Sequence, residues 1–417
     1  MSRPTLPLAA YGAATWLAQP LTAPILKSRA RAGREDTARL GERQGHSGVP
    51  RPEGPLVWLH GVSVGETQSL LPLIDALRRR DPRANLLVTS GTVTSAALLA
   101  QRLPPDVIHQ FAPVDTPRAV GRFLDHWRPD AGLFVESEVW PNLLLAARAR
   151  GVRLALVSAR ITEGSARGWG RVPKSARTLF GTFETALPQD RVSETRLRTL
   201  GAAIGPRLNL KLLGEPLPVD EAVLSRLQSV VAARRVVTAV STHPGEDAGV
   251  ATAVRGADPE ALLILVPRHP ERGTALATEL NAPRRAAGQE LAPDHTLYVA
   301  DTLGELGLFL RLADVAVMGG SFVTGVGGHN PMEAARLGVP TVTGRHAFNA
   351  AEAFEGLIGA GAALQVADLA GLEAAVGAIL TDPDKAWRMG RAALTFAAAQ
   401  ARTLDDAMGR LEALLPR

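Results

Sequence analysis

The chain has 417 residues, of which 46% are hydrophobic and 21% charged; it carries a net charge of +5 and has no cysteine. That length exceeds one ordinary core and predicts two domains, while the composition excludes a disordered chain and the missing cysteine excludes disulfides and thiolate metal sites. The positive charge suits an anionic partner such as a phosphorylated substrate or anionic lipid, but only 4% of residues are aromatic, and no basic stretch is interleaved with stacking side chains, so nucleic acid is not expected.

From Pro4 to Leu26 no residue is charged, and Lys27, Arg29, Arg31 and Arg34 follow at once. The run is long enough to span a bilayer core, and the basic residues after it would keep the downstream chain in the cytoplasm. Pro20, Pro24 and Gln19 suit a segment lying in the interface, and a soluble leading helix is the third reading. Residues 1–34 are therefore expected to form a membrane anchor and a basic linker.

A strand–helix alternation begins at Pro55. Leu56–His60 reads as a strand and Glu66–Arg80 as a helix, and the next strand is Asn85–Ser90. Val107-Ile108, Ala131–Val135 and Val152–Val157 continue the series. Around Leu208 to Val219 the pattern breaks at Gly214, Pro216 and Pro218, which sets domains of 35–212 and 213–417. It then resumes with Val236–Val240, Leu262–Val266, Thr296–Val299, Val315–Met318 and Pro340–Val342, and ends in Ala-rich helices from about Asp368. Such alternation predicts an α/β chain of two doubly wound, Rossmann-like domains, with ligands at the carboxyl ends of their strands in a cleft.

Candidate site residues fall at those strand ends. Ser63 and Glu66 have capping-box spacing; Glu66 equally suits a general base facing the cleft. Glu136 and Glu138 end one strand two residues apart, so they are expected on one face, where mutual repulsion raises one pKa unless a cation is near. Lys211 lies at the domain boundary, where it is solvated or meets a phosphate or carboxylate. In the second domain Thr242 and His243, then Arg268 and His269, then Gly320 and Ser321 each follow a strand; together they suit a phosphate and its attached sugar. The glycines from Gly319 to Gly328 predict a loop with free backbone N–H groups. Asn330 is expected to cap the next helix, with Pro331 at its first position and Glu333 three residues after the cap, making an anion site or simply a well-capped helix. The histidines lack metal-ligand spacing, so neither a metal nor a cofactor is expected.

The ordered motifs Gly61-Val-Ser-Val-Gly-Glu66, Glu136-Ser-Glu138-Val-Trp-Pro-Asn142, Asn209-Leu-Lys211, Ser241-Thr-His243, Pro267-Arg-His-Pro270, Asp301-Thr-Leu-Gly-Glu305 and Gly319-Gly-Ser321 through His329-Asn-Pro-Met-Glu333 run along nearly the whole chain. In this the chain resembles the transferases of Kdo (3-deoxy-D-manno-octulosonic acid) in lipopolysaccharide synthesis. It departs from their usual pattern at Ser158, Leu208, Pro244 and Ala334. The resemblance implies a GT-B glycosyltransferase with an N-terminal membrane-associated helix at the cytoplasmic face of the bacterial inner membrane, in contact with anionic lipids. It implies CMP-Kdo as donor and a lipid A precursor as acceptor. It implies Glu66 as catalytic base, Glu136 and Glu138 as an acidic strand-end motif, and Lys211, Arg268, His269, Ser321, Asn330 and Glu333 as residues lining the donor cleft. Two other readings stay open: a different GT-B transferase or sugar-nucleotide epimerase, and a membrane-tethered nucleotide-binding module.

Overall fold

The structure, a computed structural model, describes residues 5–232 and 234–416. It divides into two compact units, Met1–Leu213 with Arg402–Arg417, and Gly214–Ala401. The first unit holds β1 (Leu56–His60), β2 (Asn85–Ser90), β3 (Ile108–Phe111), β4 (Ala131–Val135), β5 (Arg153–Ala159) and β6 (Phe183–Pro188). The second holds β7 (Val236–Thr242), β8 (Leu262–Pro267), β9 (Leu297–Val299), β10 (Val315–Met318), β11 (Thr341–Thr343) and β12 (Ala363–Gln365).

Both sheets are parallel and have one topology. Their orders are β3-β2-β1-β4-β5-β6 and β12-β11-β10-β7-β8-β9, so β1 and β7 are equivalent first strands flanked by successors on either side. The chain reverses its winding between β1 and β4 and between β7 and β10, and a crevice opens there at the strands' carboxyl ends. Every residue of β1, β4 and β10 is buried, because helices cover both faces and a strand so placed needs a continuous apolar run. Successive side chains feed opposite faces: Trp58 packs with Phe123 and Phe134, while Val57 and Leu59 join Leu70, Leu133 and Leu187. The same device fixes the amino ends of both first strands. Asp130 accepts from the Leu56 N–H at 2.8 Å and Asp314 from the Val236 N–H at 2.8 Å, each aspartate standing just before the strand that pairs across the crevice.

Two expectations need correction. The apolar run is not one long helix: α1 (Leu6–Leu17) and α2 (Gln19–Arg31) are separated at Ala18. Pro20, at the start of α2, lacks the N–H that a continuous helix would use across the break. Among the described residues no helix is long and apolar enough to cross a membrane; Pro4, the first residue of the run, lies outside them. The segment is tied to the first unit instead, by Tyr11 Oη donating to Asp115 at 2.9 Å and Asn142 Nδ2 donating to Thr15 Oγ1 at 2.8 Å. The second correction concerns residues 402–417, which were expected in the second domain. Leu404, Ala407, Leu411, Leu414 and Leu415 complete the core beneath β1 and β4 in the first unit.

Candidate active site

The crevice of the first unit is acidic. Gly61 follows β1, and an added Cβ there would stand 3.0 Å from Val135 Cγ2 and 3.2 Å from the Glu66 Cβ, so a side chain would press on both where the two strand ends and the following helix meet. Ser63 then caps the helix Val64–Arg80, and the capping box is complete. Glu66 Oε2 accepts from the Val62 N–H at 2.6 Å and from the Ser63 N–H at 3.3 Å, while Ser63 Oγ donates to Oε1 at 2.9 Å. The capping reading of Glu66 thus holds, and capping turns the half-buried carboxylate back over the end of β1.

Across the crevice, β4 stops at Val135, and Glu136 takes a left-handed backbone (φ 56°). Glu136 and Glu138 therefore do not alternate as strand residues would, and their environments differ. Glu136 is buried, with its Oε1 2.5 Å from Lys211 Nζ. Glu138 has no such cation. Burial pushes its pKa up to about 7, the Glu66 and Glu136 charges add to the rise, and only the Trp140 indole N–H, 2.6 Å from its Oε2, opposes it. Lys211, expected with the donor residues, belongs to the first unit and finds its partner there.

Sequence reading missed His60. It is wholly buried, with Nδ1 2.8 Å from Thr89 Oγ1, which also receives the Trp58 indole N–H. Its Nε2 points to Glu138 Oε2 at 3.9 Å. Burial, with Arg43 nearby, lowers its pKa to about 3, so the ring is neutral. The signal was a lone polar residue ending a strand that is otherwise apolar.

The crevice of the second unit is cationic, and four of its expected residues take other roles. Gly320 has φ 69°, and an added Cβ would lie 3.2 Å from His329 Nε2 and 3.3 Å from His243 Cδ2. Its N–H, expected free for an anion, donates to Glu246 Oε1 at 2.6 Å; that oxygen also takes the His243 N–H at 2.8 Å. The buried carboxylate of Glu246 thus fills the nest that the glycine loop makes. Ser321 is fully buried, its hydroxyl donating to the Met318 carbonyl at 2.6 Å and accepting from the Gly344 N–H at 2.7 Å. It ties the ends of β10 and β11 together, and its one proton is spent on that tie. Thr242 is buried as well; its carbonyl holds the Arg268 N–H at 3.1 Å and Arg272 Nη1 at 2.9 Å. The helix expected after Asn330 is one turn, Met332–Ala335, with Pro331 at its cap position. Asn330 Oδ1 still accepts from the Met332 N–H at 3.0 Å, but so short a helix adds no useful dipole.

The residues brought together are His243, Arg268, His269, His329 and Glu333. Arg268 and His269 are exposed on the loop after β8. Burial raises the pKa of Glu333, and the charges of Arg336 and Arg268 oppose the rise, so both cations lie close to it. Burial, then Arg268 and the neighbouring imidazoles, lowers His329 to about 4. Among the described residues no group of three or more His, Asp or Glu could hold a metal ion.

Comparison with known proteins decides the family. Residues 38–213 match the family model described as 3-deoxy-D-manno-octulosonic-acid transferase (kdotransferase). The 3-deoxy-D-manno-octulosonic acid transferase of Bordetella pertussis is 37% identical over 387 residues, covering 87% of this chain and 90% of that one. The chain belongs to the Kdo transferase family. The Haemophilus influenzae Kdo transferase is 32% identical over 373 residues, covering 85% of this chain and 86% of its own. Among solved structures, a glycosyltransferase of Rickettsia africae ESF-5 superposes with a TM-score of 0.60 at 10% identity, covering 87% of this chain and 98% of that one. That likeness bears on the fold alone, which is of the GT-B type with two parallel α/β domains. As a Kdo transferase the chain is a glycosyltransferase, and each crevice has to be matched to one of two substrates.

Proposed function

We propose that the chain moves Kdo from CMP-Kdo to a lipid A precursor in a single displacement with inversion. The observation that carries this reading is the division of charge: three carboxylates at the β1/β4 crevice, and Arg268 with three imidazoles at the loops after β7, β8 and β10. The departing CMP gains negative charge, which cations stabilise without a metal. We assign the phosphate to Arg268, His243, His269 and His329, and the cytidine ribose hydroxyls to Glu333, which lies by Arg268. The acceptor hydroxyl must lose a proton, and Glu66 is its base. Glu138, poised near neutrality, shares the proton balance of that crevice, while Lys211 pairs with Glu136. One base and one leaving group need no covalent glycosyl-enzyme. Mass spectrometry of the product formed from CMP-Kdo and a lipid A precursor tests the reading; a mass gain other than that of Kdo would refute it.

We also place the protein at the cytoplasmic face of the bacterial inner membrane. Leu6, Trp16, Leu17, Leu21 and Ile25 are exposed along α1 and α2, Leu17 at 69%, and Lys27, Arg31 and Arg34 are exposed after them. Helices of this kind lie in the interface, aided by anionic lipids. Flotation with vesicles containing an anionic lipid tests this: the wild type should float, and a variant with Leu17, Leu21 and Ile25 changed to Ser should not. Equal flotation of the two would remove the assignment.

A further inference from the structure

His243 Nε2 and His329 Nε2 are 2.9 Å apart. The two rings are nearly coplanar (9°), with centroids 5.1 Å apart. Face-to-face stacking cannot give these values. A centroid separation equal to the N···N contact plus a ring radius at each end places the imidazoles edge to edge, in line. Two rings converging on a cation would aim their lone pairs at a third point and draw their centres closer. The contact is therefore an N–H···N hydrogen bond, and it holds one proton. Gly320 makes it possible, because a side chain at that position would crowd both rings.

Proton count follows from that bond. In the neutral pair one ring gives its Nε2 proton to the other and has a bare Nδ1; the other ring has a bare Nε2 and a protonated Nδ1. One N–H therefore remains besides the shared one. Adding a proton fills the bare Nδ1, so that the pair gains a second N–H donor and one positive charge.

We infer that the His243–His329 pair is a proton-coupled anion receptor, neutral when the crevice is empty and taking up one proton when a phosphate monoester docks. This rests on the donor assignment made above. The groups around the pair set its empty state. Arg268 and His269 on the loop after β8, and Arg272 beyond them, disfavour a further positive charge, whereas Asp247 favours it. The Glu246 carboxylate is committed to backbone N–H groups, and Glu333 lies by Arg268 and Arg336. Burial and the cations prevail, and both imidazoles are held below the usual histidine range. A phosphate dianion among them reverses the balance by offsetting Arg268 and favouring the charged ring. The pair then holds a proton beside the leaving oxygen at the moment its negative charge develops.

The test is a pH titration of the ring resonances of the full chain by NMR, with His243→Gln and His329→Gln used only to assign two of the nine histidines. It is run without ligand, with saturating CMP, and with cytidine. We expect CMP to raise the midpoint of one of the two rings by about one pH unit or more, and cytidine to leave both where they were. CMP that binds, as followed by its own phosphorus resonance, without moving either midpoint would overturn the inference and leave the donor site standing. Failure of CMP to bind at all would overturn the donor assignment and the inference with it.

Discussion

The two crevices share a topology and differ in sign. Each lies where a parallel six-stranded sheet reverses its winding, beside a first strand clamped at its amino end by an aspartate. In the first unit the loops carry Glu66, Glu136 and Glu138 against one lysine; in the second they carry Arg268 and paired imidazoles, with Glu246 turned inward onto backbone N–H groups. The scaffold supplies the position and the loops supply the chemistry. Glycosyl transfer needs a proton acceptor for one substrate and charge stabilisation for the other. A duplicated architecture with opposite loops meets both needs.

The largest effect that tests this contrast is expected from Glu66→Gln. The amide keeps the shape of the cap but removes the base, so turnover should fall by about 10²–10⁴-fold. Because the base is not part of the donor site, CMP affinity should stay within a few-fold by calorimetry; unchanged turnover would remove Glu66 from the chemistry. Arg268→Gln is the mirror experiment. Losing a charged hydrogen bond to phosphate should raise the donor KM by about 10–100-fold, with the acceptor KM unmoved in steady-state kinetics.

Two smaller effects separate charge from architecture. Glu138 has its pKa raised from 4.5 to about 7, so the folded chain binds more protons there than the unfolded chain does. Its contribution to stability is therefore lost as the pH rises through that window. Glu138→Gln should melt higher than wild type above pH 7, by an amount equivalent to at most about 3 kcal/mol, and the two should converge in acid. Ser321→Ala should cost about 1–3 kcal/mol in denaturant unfolding, because the Gly344 N–H is left unsatisfied. Donor KM should be unchanged; a tenfold rise would return Ser321 to the ligand site.

Much of this arrangement is legible in the chain itself. The central strands read as unbroken apolar runs because both their faces are covered, and the strand ends located most of the polar loops. The edge strands β6 and β12 were not foreseen: Phe183–Pro188 mixes Glu184 and Thr185 into its run, and Ala363–Gln365 is only three residues long. An edge strand has one neighbour and needs less apolar sequence. Hydroxyl direction was also out of reach. Ser321 stands at the expected strand end, yet its hydroxyl turns to the Met318 carbonyl and the Gly344 N–H, which depends on how β10 and β11 meet. His60 and the contact of Glu246 with Gly320 show the same limit, since each forms only when distant segments come together.

Hydrogen–deuterium exchange of the full chain with and without CMP tests the division of labour most directly. The account predicts protection at the loops after β7, β8 and β10, at residues 243–246, 268–272 and 319–333. Residues 61–66 and 136–142 should exchange as they do in the free protein. Protection confined to those first-unit loops, with the second-unit loops unchanged, would contradict it.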